Sequence, residues 1–243
     1  MLSPKTQTNL KNAKSYFAEH LSVGDYYGEN ARVQGEWLGE GAVKLGLIGK
    51  VAADDFLALC ENEHPKTRER LTQRRDAVRR VFYDFTFSPP KSVSVAALVA
   101  ADKRIAVAHA KAVKIALGEL EQFASARLRS RSRNSDRRTG NFVAVLFQHE
   151  TSRALDPHLH THCIIFNATY DTAEALWKAL QNYEMLNAQK YAENIYYHEL
   201  ARSLREFGYT VINKALGDFE IAEVEGLVRV GAAELAATLL TLN

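Results

Sequence analysis

The order of apolar and polar residues predicts alternating helices and strands along most of the chain. A helical spacing of apolar residues falls on 9–19, 53–61, 65–80, 92–101, 103–126 and 183–207. Alternation or a short apolar run, typical of strands, falls on 81–87, 141–148, 159–167, 175–178 and 209–213. Glycine and aromatic residues interrupt 23–49, which is typical of an exposed or lid-like segment.

The loop between the strands at 141–148 and 159–167 ends in Asp156-Pro157, and we expect these strands to pair as an antiparallel hairpin. The sequence contains no internal repeat, low-complexity tract or Pro/Ser-rich linker. These observations predict one α+β domain over residues 1–243, with a central antiparallel sheet of about five strands flanked by helices.

The composition supports a folded core but not a polycation. Apolar residues make up 47% of the 243 positions, and 31 Lys and Arg residues face 29 Asp and Glu residues, for a net charge of +2. Any affinity for nucleic acid must therefore come from local patches. Cys60 and Cys163 have no paired spacing, which argues against a disulfide framework or a zinc ribbon and favours a reducing cytoplasm. The sequence has no signal peptide and no apolar run of membrane-spanning length, so we expect no membrane insertion.

Histidines give the densest chemical signal in the sequence. His158, His160 and His162 occupy alternate positions of one predicted strand, so their side chains share a face. His149 ends the preceding strand and lies across the predicted hairpin, where neighbouring strands are ~5 Å apart. Three imidazoles that converge in this way bind a divalent cation and leave positions open for a substrate oxygen, as in a catalytic metal site. His158 lies nearest the loop and is the member that a three-ligand site does not need.

Asp84 is the carboxylate within the predicted strand at 81–87, where it shares a face with Phe82 and Thr86. A buried carboxylate without a partner costs on the order of several kcal/mol, so Asp84 needs one. The N–H on the far side of a metal-bound imidazole is a suitable partner.

Tyrosines near the start of the chain extend the pattern: Tyr16 in SYF, and Tyr26 with Tyr27 in DYYGEN. By themselves, tyrosines in a helix and a loop most often pack with a hydrated hydroxyl. Together with GEWLGEGAVKLGL, DFTFSPPKSVS and HETSRALDPHLHTHCIIFN, they follow an order that resembles the conjugative relaxases of the MobF class, in the His-hydrophobic-His endonuclease superfamily. The resemblance runs from residue 1 to about residue 221.

The resemblance implies an enzyme that nicks and rejoins one DNA strand at a plasmid transfer origin through a covalent 5′-phosphotyrosine. Tyr16 corresponds to the first catalytic tyrosine, Tyr26 to the tyrosine of the second strand transfer, and Tyr27 to its adjacent runner-up. Asp84 corresponds to the carboxylate that orients a metal-binding histidine and assists deprotonation of Tyr16. The implied metal ligands are His149, His160 and His162.

The implied cofactor is a divalent metal ion, Mg²⁺ or Mn²⁺ first, with Zn²⁺, Ni²⁺ and other ions also compatible with imidazole ligands. The implied partners are the single-stranded and hairpin DNA of a transfer origin, accessory relaxosome proteins and a type IV secretion coupling protein. Members of the family usually continue into a helicase. They act in the bacterial cytoplasm and pass into the recipient cell with the DNA strand.

The chain departs from the family pattern in three places. Phe17 stands where many members have a second tyrosine, so Tyr16 must act alone at the first site. His158 replaces a residue that is commonly not histidine, and it is an accessory ligand, a phosphate contact or neither. Residues 223–243 no longer follow the pattern, which predicts a diverged or truncated tail in a relaxase that is either shortened or naturally short.

Arginines form two clusters that we expect to guide DNA. One is a basic segment over 127–138, which is either a solvated surface hairpin or a finger that grips phosphates in a salt-dependent way. The other precedes the strand of Asp84. The candidate DNA-binding residues are Arg74, Arg75, Arg79, Arg80, Lys91, Arg127, Arg129, Arg131, Arg133, Arg137 and Arg138. Trp37 is a candidate for base stacking or for packing.

Three alternatives stay open. A rolling-circle replication initiator shares the histidines and the tyrosine chemistry, but its tyrosine usually follows the histidines, whereas Tyr16 precedes them. A metal-dependent phosphodiesterase would activate water with Asp84 as the base and would form no covalent adduct. A non-enzymatic DNA-binding domain would use the histidines only to hold a structural ion.

Overall fold

The computed structural model describes residues 1–18, 34–73, 80–129, 134–152, 154, 156–215, 217–222 and 224. The strands are β1 Leu2–Gln7, β2 Glu36–Leu38, β3 Phe82–Phe87, β4 Ser125–Arg129, β5 Asn134–Arg138, β6 Ala144–Thr151, β7 Pro157–Phe166, β8 Thr169–Asp171, β9 Leu176–Lys178, β10 Leu180–Gln181, β11 Val211–Asn213 and β12 Phe219–Ile221. The helices are α1 Leu10–Tyr16, α2 Glu40–Lys44, α3 Ala53–Glu61, α4 Lys91–Leu98, α5 Lys103–Glu121, α6 Tyr183–Asn187 and α7 Gln189–Glu206.

A five-stranded antiparallel sheet in the order β1-β3-β7-β6-β2 forms the middle layer. Side chains of α4, α5 and α7 pack on one face, and side chains of α1, α2 and α3 pack on the other. The predicted α+β fold, with about five antiparallel strands between helices, is confirmed. No helix in the described part of the chain combines the length and the apolar character needed to cross a bilayer.

The two faces of β7 belong to different core clusters. Leu159, Cys163 and Ile165 point into the cluster under α4, α5 and α7, whereas Ile164 and Phe166 point into the cluster under α1, α2 and α3. Because side chains alternate along a strand, the histidines at even positions lie on the second face. The sheet therefore presents them towards α1.

The predicted helix over 65–80 is wrong in its described part. Asn62 ends α3 in the left-handed region, with φ 66°, and its side-chain oxygen accepts hydrogen bonds from the backbone N–H and the hydroxyl of Thr72. The backbone N–H of Leu71 also donates to the carbonyl of Asn62. Residues 65–73 contain one strongly apolar side chain, Leu71, so a helix there would have no apolar face to bury.

Two other predicted helices are shorter than expected. Helix α5 ends at Glu121, where the prediction continued to residue 126, and the chain enters β4 at Ser125. The Glu121 carboxylate accepts hydrogen bonds of 2.9 Å from the backbone N–H groups of Glu40 and Phe142, which ties the end of α5 to α2 and to the start of β6. The predicted helix over 183–207 is divided at Ala188 into α6 and α7.

The segment 34–49 is part of the sheet edge and its cover, so the predicted lid-like character of 23–49 is wrong in this part. Trp37 in β2 pairs in register with Val145. Its side chain is 6% exposed and contacts Phe166 at 6.2 Å between ring centroids. This burial gives Trp37 a packing role.

A buried polar trio lies in the core between β7, α5 and α7. The ring nitrogens of His109 lie 2.8 Å from the hydroxyl oxygens of Tyr196 and Thr161. Burial lowers the pKa of His109 from 6.5 to about 3. The imidazole is therefore neutral at pH 7, so one nitrogen donates a hydrogen bond and the other accepts one.

The depressed pKa of His109 makes the stability of the fold sensitive to acid. Because the folded pKa lies below the unfolded value, the unfolded chain binds an extra proton between pH 6.5 and pH 3, and stability is lost as the pH falls through this window. Protonation of His109 in the unfolded chain should lower the free energy of unfolding by about 2 kcal/mol between pH 7 and pH 5. In urea denaturation, His109→Phe should be less stable than the parent at pH 7, and the two free energies should converge at pH 5. Parallel pH curves for the two proteins would contradict this assignment.

Candidate metal centre and nucleophile

Three histidines converge on the sheet face under α1. His149 and His160 are opposite each other in the register of β6 and β7, and His162 follows on the same face of β7. The ring centroids lie 5.3 Å apart for His149 and His160, 5.5 Å for His149 and His162, and 5.1 Å for His160 and His162. Imidazoles that bind one ion through nitrogens at ~2.1 Å have ring centres roughly 5 Å apart. The spacing of the three rings therefore fits one shared divalent ion.

The hydrogen bonds on these rings also suit metal ligands. The Nδ1 of His160 lies 2.8 Å from the carbonyl oxygen of His158, and the Nδ1 of His162 lies 2.8 Å from the Asp84 carboxylate. Each Nδ1–H donates to an oxygen, which leaves Nε2 with its lone pair for an ion. Burial, together with the neighbouring histidines, lowers the pKa of His160 to about 4, so this ring is neutral at pH 7.

The donor set fits a divalent ion, but the rings are not closed around one. Among the described residues, no three His, Cys, Asp or Glu side chains surround a point closely enough to hold an ion as they stand. The donor set and the spacing of the ring centres, rather than a closed shell of ligands, are therefore what fits these histidines to a divalent ion.

Asp84 lies at the centre of the hydrogen bonds beside the histidines. Its side chain is nearly fully buried. One carboxylate oxygen, Oδ2, accepts a hydrogen bond of 2.8 Å from the Tyr16 hydroxyl and lies 2.8 Å from Nδ1 of His162. The other, Oδ1, accepts a hydrogen bond of 3.1 Å from the hydroxyl of Thr86. The imidazole N–H predicted as the partner of this carboxylate is therefore the Nδ1–H of His162.

Helix α1 brings Tyr16 to this carboxylate. The helix begins after Asn9, whose side chain accepts a hydrogen bond from the backbone N–H of Asn12, and it turns Ala13 into the core. The Tyr16 hydroxyl lies 3.4 Å from Nδ1 of His162. Phe17 instead stacks on Phe56, with ring centroids 4.2 Å apart, so it serves packing. One phenol therefore stands beside the histidines in the described part of the chain.

Sequence reasoning missed one residue of the site and left another without a role. Thr86 pairs in register with His162, and its hydroxyl lies 3.1 Å from both Asp84 and Nδ1 of His162. Its position on the face of Asp84 was the available signal. His158 stacks on His160 with ring centroids 4.7 Å apart and an interplanar angle of 16°, so it supports the ring of a candidate ligand.

The basic residues predicted to bind DNA are largely engaged within the protein where the structure describes them. Arg137 donates to the buried carboxylate of Asp171 at 2.9 and 3.0 Å. Arg138 lies over the ring of Phe123, at 4.9 Å from the centroid. Lys91 donates to the carbonyl of Pro157 at 2.8 Å. Two arginines have looser contacts, Arg127 with Asp136 at 3.5 Å and Arg80 with Asn182 at 3.5 Å.

Several candidate residues lie outside the described residues. They are Tyr26, Tyr27, Arg74, Arg75, Arg79, Arg131, Arg133 and the side chain of Arg129. Strands β4 and β5 lie on either side of residues 130–133, and they pair antiparallel with Ser125 opposite Arg138. The basic segment therefore begins in β4 and ends in β5, which form a ribbon that β10 extends to a third strand along β4. Its role towards DNA stays a prediction.

Asp84→Asn should show how much of the activity depends on the negative charge of this carboxylate and how much on its packing. An amide of the same size keeps the packing, but it cannot take the phenol proton, and it supports the Nδ1–H tautomer of His162 less well. We expect DNA cleavage to fall by roughly 100-fold and Mn²⁺ affinity by roughly tenfold. Cleavage rates at saturating Mn²⁺, with Asp54→Asn at an exposed position in the first turn of α3 as control, measure the first effect. Unchanged cleavage in Asp84→Asn would exclude Asp84 from the chemistry.

The buried carboxylate of Asp84 on β3 and the three histidines on β6 and β7, with Tyr16 of α1 beside them, agree with the resemblance to the His-hydrophobic-His endonuclease superfamily. Within it, the TrwC relaxase family model matches residues 10–230. The chain belongs to the TrwC relaxase family, and the predicted resemblance to MobF-class relaxases is confirmed.

Curated relatives are much longer than this chain. The multifunctional conjugation protein TraI of Escherichia coli strain K12 is 38% identical over 188 residues, which cover 74% of this chain and 10% of TraI. A second Escherichia coli TraI is 37% identical over 206 residues, which cover 77% of this chain and 12% of that protein. The chain thus spans about a tenth of the length of these relatives.

Solved structures of the conjugative relaxase TrwC are similar over most of the chain. The metal-bound complex with oriT DNA has a TM-score of 0.79 at 38% identity, and the similarity covers 91% of this chain and 75% of the TrwC chain in that structure. The copper-bound complex has a TM-score of 0.80 at 38% identity, with 91% and 76% covered. The complex with a 27-mer DNA comprising the recognition hairpin and the cleavage site has a TM-score of 0.79 at 36% identity, with 93% and 76% covered. These similarities favour a relaxase over a rolling-circle replication initiator.

Proposed function

We propose that this chain is the strand-transfer domain of a conjugative relaxase, which nicks one DNA strand at a plasmid transfer origin, keeps the 5′ phosphate on Tyr16 and later rejoins the strand. The observation that carries this proposal is the 2.8 Å hydrogen bond from the Tyr16 hydroxyl to Asp84, beside three converging histidines. The DNA complexes of its structural relatives support the same substrate.

The residues of the chain suffice to activate the nucleophile. A free phenol has a pKa of ~10 and is a poor nucleophile at neutral pH. Asp84 Oδ2 accepts the phenolic proton as the Tyr16 oxygen bonds to phosphorus. The bond between phosphorus and the 3′ oxygen breaks, the 3′ oxygen takes a proton from solvent and leaves as a free hydroxyl, and Asp84 releases the phenolic proton to solvent. Since one phosphoester replaces another, the reverse attack of that hydroxyl rejoins the strand and returns the phenol.

His149, His160 and His162 would hold a divalent ion, with Mg²⁺ or Mn²⁺ as the first expectation. When bound, such an ion stabilises the charge that develops on the nonbridging phosphate oxygens. The side chain of Asp84 and the carbonyl of His158 orient two of the ligands through their Nδ1–H groups. Metal-bound structures among the relatives support a metal cofactor.

The remaining assignments extend this proposal to the whole reaction. Tyr26, with Tyr27 as runner-up, would serve the second strand transfer, and the basic ribbon over 127–138 would hold hairpin DNA. In a longer parent protein the domain would precede a helicase, with 223–243 as a diverged tail. It would act in the bacterial cytoplasm with relaxosome proteins and a type IV coupling protein and pass into the recipient with the strand. The length of the TraI relatives supports a longer parent.

A covalent-adduct assay tests the proposed function. The protein is mixed with labelled single-stranded oligonucleotides that tile the origin region of the replicon encoding it, with Mn²⁺ or Mg²⁺, and the products are run on a denaturing protein gel. We expect a labelled band of protein linked to the 3′ fragment for one oligonucleotide, and loss of that band with EDTA.

The other outcomes identify the alternatives. Cleavage without an adduct would indicate a metal-dependent phosphodiesterase that activates water. Binding without cleavage at any oligonucleotide would indicate a DNA-binding domain with a structural ion. Both results would overturn the proposed function.

A further inference from the structure

The polar trio Tyr196, His109 and Thr161 joins two helices to the strand that carries two candidate ligands. His109 belongs to α5, Tyr196 to α7 and Thr161 to β7. Their exposed fractions are 0%, 0% and 2%, respectively. Both contacts of the His109 ring measure 2.8 Å. These three side chains therefore form one continuous hydrogen-bond chain inside the core, on the face of the sheet opposite the metal centre.

Thr161 lies between His160 and His162 in the sequence of β7. Its backbone is held on both sides in the sheet, opposite Phe87 in β3 and Gln148 in β6. These pairings fix the strand within the plane of the sheet. The hydroxyl of Thr161 adds a contact perpendicular to that plane. A shift of Thr161 along this direction moves both flanking histidines, because their Cα atoms are its direct neighbours in the chain.

Burial alone does not require a hydroxyl at position 161. The neighbouring residues on the same face of β7 are Leu159 and Cys163, and both are completely buried in the apolar cluster. Valine has the shape of threonine without the polar atom, and it would suit such surroundings. Polar groups in an apolar core are unfavourable unless they satisfy one another, and a satisfied set restricts the arrangement of the elements that carry it.

We propose that the Tyr196–His109–Thr161 chain is a positioning device for the metal centre, which sets the height and twist of β7 beneath His160 and His162. This inference rests on the proposed function, since it assigns these histidines to the metal. It makes Thr161 and His109 positioning residues, which touch neither the ion nor the DNA. Because the imidazole of His109 must donate to one hydroxyl and accept from the other, both of its contacts are directional.

The test uses Thr161→Val, which removes the hydroxyl and keeps the shape. We expect the dissociation constant for Mn²⁺, measured by electron paramagnetic resonance or calorimetry, to rise by roughly tenfold, the scale typical of groups that orient metal ligands. Thr161→Ser restores the hydroxyl and should return the affinity to within about twofold of the parent. His109→Phe should match Thr161→Val, and the double variant should be no weaker than either single one, because both break the same chain.

A matched control is Thr169→Val. Thr169 is a completely buried threonine whose hydroxyl donates to the carbonyl of Asn141 at 2.7 Å, and it does not contact His109. This variant should lose thermal stability but bind Mn²⁺ as the parent does. A folded Thr161→Val protein with parental Mn²⁺ affinity would overturn the inference and reduce the trio to core packing. Mn²⁺ affinity is measured without DNA cleavage, so the result of this test does not depend on the result of the adduct assay.

Discussion

Replacing Tyr16 by phenylalanine should abolish the initial cleavage of transfer-origin DNA, with a rate decrease of roughly 10⁴-fold or more, as for other lost nucleophiles. The substitution removes one oxygen and leaves the ring in place, 6.3 Å from Phe82 between centroids. Helix α1 and its packing should therefore survive. A labelled single-stranded oligonucleotide, quenched over time and run on a sequencing gel, measures the rate.

The control for Tyr16→Phe is Tyr183→Phe, the same change at a tyrosine of α6 that is 67% exposed. Its cleavage rate should equal that of the parent. DNA affinity of Tyr16→Phe, measured by fluorescence anisotropy with the uncleaved oligonucleotide, should stay within about twofold of the parent, because the hydroxyl acts in the chemistry. Full initial cleavage in Tyr16→Phe would move the nucleophile to Tyr26 or Tyr27.

His160→Ala should remove metal-dependent cleavage while sparing the fold and the DNA affinity. The three ring centroids form a nearly equilateral triangle with sides of 5.3, 5.5 and 5.1 Å, so the loss of His160 removes one of three ligands and leaves a two-ligand site. We expect a rate decrease on the order of 10³-fold, the scale of several kcal/mol of lost charge stabilisation. Mn²⁺ affinity should fall in parallel.

The control is His198→Ala, the same change at an exposed histidine of α7 that is not one of the candidate metal ligands. Circular dichroism should show both variants folded. Loss of the fold in His160→Ala would indicate a structural ion, and parental cleavage with parental Mn²⁺ affinity would remove His160 from the metal centre.

Much of the site follows from the period of a β-strand. Residues two apart share a face, which places His160 and His162 together, and antiparallel pairing brings His149 opposite His160. The same period places Asp84 and Thr86 towards the histidines in the neighbouring strand. The pairing of β6 with β7 follows from the hairpin between 141–148 and 159–167. The pairing of β3 with β7, which places Thr86 opposite His162, joins strands far apart in the sequence and does not follow from that hairpin.

Other features depend on contacts between residues far apart in the sequence. Strand β1 is mostly polar and contains Pro4, and its extended state comes from pairing with β3; Pro4 is tolerated on this edge strand because an edge needs fewer ladder donors. The end of α5 depends on the contacts of Glu121 with Glu40 and Phe142.

The partners of His109 could not be predicted either. A histidine among apolar residues of a helix most often satisfies its hydrogen bonds locally or at the surface, and Thr161 lies 52 residues further along the chain. The sequence around His109 carries no sign of that contact. The contact arises only when α5 packs on β7.

The central claim is that Tyr16 forms the bond to DNA, and mass spectrometry of the trapped adduct tests it directly. Trypsin alone leaves Tyr16, Tyr26 and Tyr27 in one peptide, residues 15–32, whereas further digestion after glutamate separates residues 15–19 from residues 20–29. We expect a nucleotide mass on the peptide 15–19. A nucleotide on 20–29, or a cleaved strand with no modified peptide, would contradict it.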